Sequence, residues 1–220
     1  MTEEEQVEAI KGWFQKHANK IMLLLSVIFI GIAGAKYWEH HQQKINTQAS
    51  SAYENMMLAA TNQNEKNIAV YATQLIKDFS GTVYADVAHL TLAKQYVMQK
   101  KLPEAIKHLD AVVSHAQMST LKQVASIRLA RIYSAQNKYD KALSILKPLQ
   151  TSAYKAVSSE LEGDLYVAKG EYQLAAASYD LAIKEVHQRG VENLYLEMKA
   201  NQVASHVKSK AVLLGKTTVA

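Results

Sequence analysis

One pattern constrains the fold of this chain more than any other. A small residue is followed by tyrosine three positions on, by Leu or Tyr nine on, and by alanine twelve on. It occurs as Ala93, Tyr96, Leu102 and Ala105, again as Ala130, Tyr133, Tyr139 and Ala142, and a third time as Gly163, Tyr166, Tyr172 and Ala175. The third copy is the fullest, because Tyr179 and Ala182 extend it. Residues three apart share one face of a helix, so the small residue and its tyrosine sit one turn apart on a packing surface. Lys100-Lys101, Gln136-Asn137 and Lys169-Gly170 then mark a turn, and the second small residue lets a following helix pack back on the first. A helix pair of this size cannot bury its own apolar face. Copies must stack, and the array needs a closing element at its end.

The spacing resembles the tetratricopeptide repeat, whose period is about 34 residues. The expected fold is therefore all-α: a tetratricopeptide-like α-solenoid over residues 50–210. Helical periodicity runs through the whole of it, and the chain holds only 8 Gly and 2 Pro, too few for many strands joined by turns. Residues 51–60 and 67–79 read as a degenerate first helix pair, broken by Ser80-Gly81-Thr82. Residues 191–210 read as the closing helix and 211–220 as a loose tail. The chain departs from the repeat in several places. The usual Trp of the first helix is replaced by His89, Ser126 and Ser159, and Glu162 stands at a normally apolar position. Pro148 is expected to cut a second helix short, whereas Pro103 falls in a first turn, where proline is tolerated.

Ahead of the repeats, IMLLLSVIFIGIAGA is free of charge and flanked by Lys20 and Lys36, with Tyr37 and Trp38 behind it. Residues 21–38 would form roughly 27 Å of helix, a marginal span for a hydrocarbon core of about 30 Å. Lysines at both ends can snorkel, and the aromatic pair suits an interfacial anchor. Three readings are open: a transmembrane helix held in the lipid bilayer, a buried core helix, or a signal peptide cleaved after Ala33-Gly34-Ala35. Against cleavage stands the long leading segment with Glu3, Glu4 and Glu5. Lys11, Lys16 and Lys20 precede the segment, while Lys36 and Lys44 follow it, which favours a cytoplasmic N-terminus. The expected organisation is a cytoplasmic segment 1–20, a transmembrane helix 21–38, a helical stalk 39–49, the repeat domain 50–210 and the tail 211–220.

The composition points away from most chemistry. With no Cys, disulfides, thiolate catalysis and Cys-ligated metals are excluded. The net charge is +5 but the lysines are scattered, so nucleic-acid binding is not expected. His40 and His41 point to different sides of a helix, His108 and His115 are two turns apart, and His89 takes a packing position, so none of them is expected to bind metal. No nucleophile elbow, phosphate loop or zinc-protease motif occurs. Glu160 and Asp164, four apart, read as a solvated face. The tyrosines read as packing residues; a base-stacking platform would need them exposed. No enzyme activity and no cofactor is expected.

A protein-binding surface is what remains. The first helices of such an array line its concave face. The concave positions here are Val87, Leu90, Lys94 and Val97 in the first repeat, Val124, Ile127, Arg131 and Ser134 in the second, and Val157, Glu160, Asp164 and Val167 in the third. Such a groove suits an extended or amphipathic apolar segment. Packing beneath the N-terminal helix pair is the alternative role for some of these side chains.

Taken in order, EEEQVEAIKGWF, KYWEHHQQ, ASSAYENMM, HLTLAKQYV, SIRLARIYSAQNKYDKALSIL and LEGDLYVAKGEYQLAAASY resemble the YfgM-like ancillary subunit of the Sec translocon. The resemblance covers nearly the whole chain up to about residue 200. It implies a single-pass protein of the bacterial inner membrane with its repeats in the periplasm. The implied partners are SecYEG, the membrane-anchored chaperone PpiD and unfolded or nascent periplasmic proteins, and no catalytic residue carries over. A repeat scaffold for an envelope or outer-membrane assembly complex is the alternative reading.

Overall fold

The computed structural model describes residues 3–217, and among them every regular element is a helix. The chain divides into two units, of which the first is Met1–Ser51 and the second Ala52–Ala220. In the first unit the helix is long and unpaired. Its described residues, 3–51, lie within α1, a continuous helix over Glu3–Thr61. From Met22 to Ala35 every side chain is exposed, including Leu23, Val27, Ile30 and Ile32. The buried core-helix reading of this segment therefore fails. Helix α1 passes unbroken through Ala33-Gly34-Ala35 and through the stalk residues 39–49.

The second unit is a stack of helix pairs. Residues 52–61 of α1 pair with α2 (Glu65–Asp78), and α3 (Val83–Met98) pairs with α4 (Leu102–His115). Next come α5 (Ser119–Ala135) with α6 (Tyr139–Leu146), and α7 (Lys155–Lys169) with α8 (Tyr172–His187). Helix α9 (Leu194–Thr217) closes the array against α8. It runs seven residues past the expected end of the domain, into the segment read as a tail. Residues 218–220 of that segment lie outside the described residues.

The motif residues build the interior. Ala93, Ala130 and Gly163 are buried, as are Ala105, Ala142 and Ala175 of the second helices. One cluster runs through α3 to α7, from Leu90 to Leu165, and a second joins α8 to α9 through Tyr179, Leu196 and Val203. Tyr96, Tyr133, Tyr166, Tyr172 and Tyr179 are all buried or half-buried.

Each turn within a repeat is a helix C-terminus closed in the same way. Lys101 N–H donates to the Tyr96 carbonyl at 2.8 Å and Lys100 N–H to Val97 at 3.0 Å. Lys138 reaches Tyr133 at 2.9 Å and Glu171 reaches Tyr166 at 2.8 Å, so the motif tyrosine's own carbonyl receives the closing bond each time. This is the Schellman arrangement, which needs a left-handed residue one position earlier. That residue is Lys100 (φ 61°), Asn137 (φ 59°) or Gly170 (φ 76°), with Gln63 (φ 54°) at the equivalent place in the first pair.

Pro148 acts as expected. Helix α6 stops after 8 residues, and Lys147–Thr151 continues as a 3₁₀ turn. That turn accounts for two departures from the repeat. Gln150 Nε2 donates to Glu162 Oε1 at 2.7 Å, and its Oε1 accepts from Ser159 Oγ at 3.1 Å. Two polar residues at packing positions of α7 are thus satisfied by one amide. Pro103 lies in the first turn of α4.

Candidate functional site

The twelve expected groove positions meet three different fates. Leu90 and Ile127 are 7% and 5% exposed and belong to the core, while Val87, Val124 and Ser134 are half-buried. The reason is geometric: in a stacked array the face toward the next repeat is covered by that repeat's first helix. In the third repeat the covering element is α9. Lys199 Nζ lies 2.8 Å from Glu160 Oε1 and 2.8 Å from Asp164 Oδ1, and Tyr179 Oη donates to the same Asp164 oxygen at 2.7 Å. These two acids are therefore not a solvated face. They clasp the closing helix, and the ion pairs hold the Lys199 pKa above its ordinary value against the opposing effect of burial. Val167 packs beneath α9, while Val157 is exposed.

Lys94, Val97 and Arg131 remain open. They line a cleft of about 440 Å³ between α3, α4 and α5, together with Ala93, Met98, Leu102, Leu109, Arg128, Ile132 and Ala135. Its volume falls in the range of roughly 300–1,000 Å³ usual for binding clefts. Val97 is 41% exposed and Met98 66%, large values for apolar side chains lining one depression. Every charged residue in the lining is a cation, and among the described residues none of the three makes a salt bridge. Arg128 Nη1 donates a long 3.4 Å hydrogen bond to the Leu90 carbonyl.

Sequence reasoning placed Lys94, Val97 and Arg131 on the concave face and missed Met98, Leu102 and Arg128. Met98 follows Val97 at the last position of α3, and Leu102 opens α4 across the turn. Only the closing bond of the Lys100–Lys101 turn brings these two together. Arg128 was detectable, since it sits three before Arg131 on the same helical face. A second cleft of about 530 Å³ lies among α4, α5, α6 and the 3₁₀ turn. It mixes Asp110 with Lys122 and Lys141, and so carries no single sign of charge.

Two histidines that looked unrelated in sequence meet. His89 Nδ1 lies 2.8 Å from His108 Nδ1, and Tyr96 stacks on the His108 ring at 5.5 Å. Burial, followed by the nearby His108 and His115, lowers the His89 pKa to about 4. Burial, followed by Lys107, lowers that of His108. At neutral pH the pair is an uncharged packing contact between α3 and α4.

Paired helices, repeated Schellman turns and a closing helix define a tetratricopeptide-type solenoid. The tetratricopeptide repeat-like domain family matches residues 11–205, and the chain belongs to it. The chain is similar to the ancillary SecYEG translocon subunit of Aggregatibacter actinomycetemcomitans, at 29% identity over 91% of this chain and 97% of the relative. Its similarity to the proteins of the same name from Haemophilus influenzae and Escherichia coli is 26% in each case. Those matches cover 91% and 92% of this chain and 97% of each relative. The resemblance to YfgM-like ancillary translocon subunits read from the sequence therefore stands.

Proposed function

We infer that this chain is a non-enzymatic ancillary subunit of the Sec translocon that helps transfer newly translocated proteins to periplasmic chaperones. Residues 21–38 hold it in the inner membrane with residues 1–20 in the cytoplasm and the repeats in the periplasm. SecYEG and a membrane-anchored chaperone of the PpiD kind are its partners, and unfolded or nascent chains are its clients. One observation carries the reading: relatives named ancillary SecYEG translocon subunit match over nine-tenths or more of both chains. A match of that extent keeps anchor and repeats in the same order. The Lys bias across the apolar segment supports the orientation, and the unbroken passage of α1 through residues 33–35 supports an uncut anchor.

The test uses the full chain in bacterial membranes, solubilised in mild detergent and recovered by a C-terminal tag. SecY and a PpiD-like chaperone are expected in the eluate. Recovery of an outer-membrane assembly complex in their place would overturn the reading in favour of an envelope scaffold. A topology reporter inserted after residue 45 should report the periplasm, and a cytoplasmic signal removes the handover role.

A further inference from the structure

We propose that the cleft between α3, α4 and α5 seats an apolar segment of a client polypeptide whose flanking side chains are acidic. The proposal rests on the protein-handling role and gives that role a site and a chemistry. The floor is apolar, with Val97, Met98 and Leu102 presenting open hydrocarbon surface. Lys94 stands on α3, and Arg128 and Arg131 stand on α5, with no carboxylate in the lining. Cations therefore flank the apolar seat from two helices. That distribution matches a peptide with apolar anchors and acidic neighbours on both sides. A lipid carries its charge at one end of its chain and would leave one wall unanswered.

Charge also excludes the chain's own C-terminus. Beyond Glu197 it holds no acidic residue, only Lys199, Lys208, Lys210 and Lys216 among the charged types. A clientele with acidic flanks is thus favoured over a basic one, and self-occupation is disfavoured by repulsion.

Three fluorescein-labelled peptides test this, sharing one Leu/Met/Ala core and flanked by Glu, Gln or Lys. Binding is read by anisotropy to the full chain in phosphatidylcholine nanodiscs, with empty nanodiscs subtracted. The Glu peptide should bind about tenfold more tightly than the Lys peptide, as several partly exposed ion pairs allow. Raising the salt concentration should narrow that gap. The double variant Lys94→Glu/Arg131→Glu should reverse the order, and Met98→Asp should weaken all three peptides. Both variants alter exposed side chains, and a far-ultraviolet dichroism melt confirms that each folds.

Equal binding of the three peptides overturns the proposal, as does an order that survives the charge reversal. Saturable binding of a pyrene-labelled hexadecanoate, blocked by Met98→Asp while no peptide binds, overturns it in favour of a lipid. Recovery of SecY with the wild-type chain separates the two levels. If SecY is recovered and the peptide preference is absent, the cleft proposal fails alone. If the preference holds and SecY is not recovered, the translocon reading fails.

Discussion

Replacing Gly163 by alanine tests the packing logic most directly, because two opposing effects of known size meet at one atom. In an ordinary helix interior the change stabilises by about 1 kcal/mol. Here a Cβ would lie 2.5 Å from Tyr179 Cε1, 2.6 Å from Cδ1 and 2.9 Å from Cζ. Non-bonded carbons prefer about 3.5–4.0 Å, so the ring must retreat by roughly 1 Å. It has little freedom to do so. Tyr179 is 3% exposed, and its hydroxyl is held 2.7 Å from Asp164, which Lys199 of α9 also grips. Overpacking of this kind costs about 1–3 kcal/mol, and stretching a hydrogen bond to a carboxylate adds about 1.5–3 kcal/mol if it breaks. After the helix-propensity gain, Gly163→Ala should destabilise the domain by about 1–3 kcal/mol. That corresponds to about 3–9 °C in Tm for a domain of this size. Urea unfolding of the full chain in detergent, followed at 222 nm, measures it. In a Tyr179→Phe background the ring loses its tether, so the same substitution should cost less. A Gly163→Ala chain as stable as the parent, or more so, would refute the claim that the ring dictates glycine.

Three further outcomes follow from the same structure. Lys100→Gly should raise stability by about 0.5–1 kcal/mol in denaturant titration, because it relieves a left-handed lysine at φ 61°. For Glu162, burial raises the pKa and the Gln150 hydrogen bond opposes that rise. Its contribution is therefore fully present below the unfolded pKa and lost as pH rises through the folded one. Glu162→Gln keeps the acceptor for Gln150, so it should stabilise by about 0.5 kcal/mol at pH 7 and be neutral near pH 4, read as Tm against pH. His89 has the opposite dependence. Its folded pKa of about 4 lies below the unfolded 6.5, so the unfolded state takes up protons first and stability falls as pH drops from 6.5 toward 4. His89→Gln should flatten that part of the curve, and an unchanged slope would remove the His pair as its source.

Much of this architecture was legible in the chain because its signals are local. The small-residue and tyrosine spacing fixed the first helices, Pro148 ended α6, and the residues before Leu102, Tyr139 and Tyr172 marked turns whose geometry the backbone then repeated. The surface was less legible. Leu90 and Lys94 are four apart on one helix, yet one lies in the core and the other borders a cleft. Glu160 and Asp164 looked solvated until Lys199, 39 and 35 positions away, closed on them. His89 and His108 looked like separate packing residues until α4 folded back on α3.

The sequence alone determined the helical class, the number of repeats and the exposed apolar segment, since each depends on spacing within about one or two helical turns. The tertiary structure alone decided which concave positions stay open, why residue 163 is glycine, and that the one open cleft carries only cations. Those properties depend on which neighbouring helix covers a given face, and that contact spans tens of residues that no local periodicity encodes.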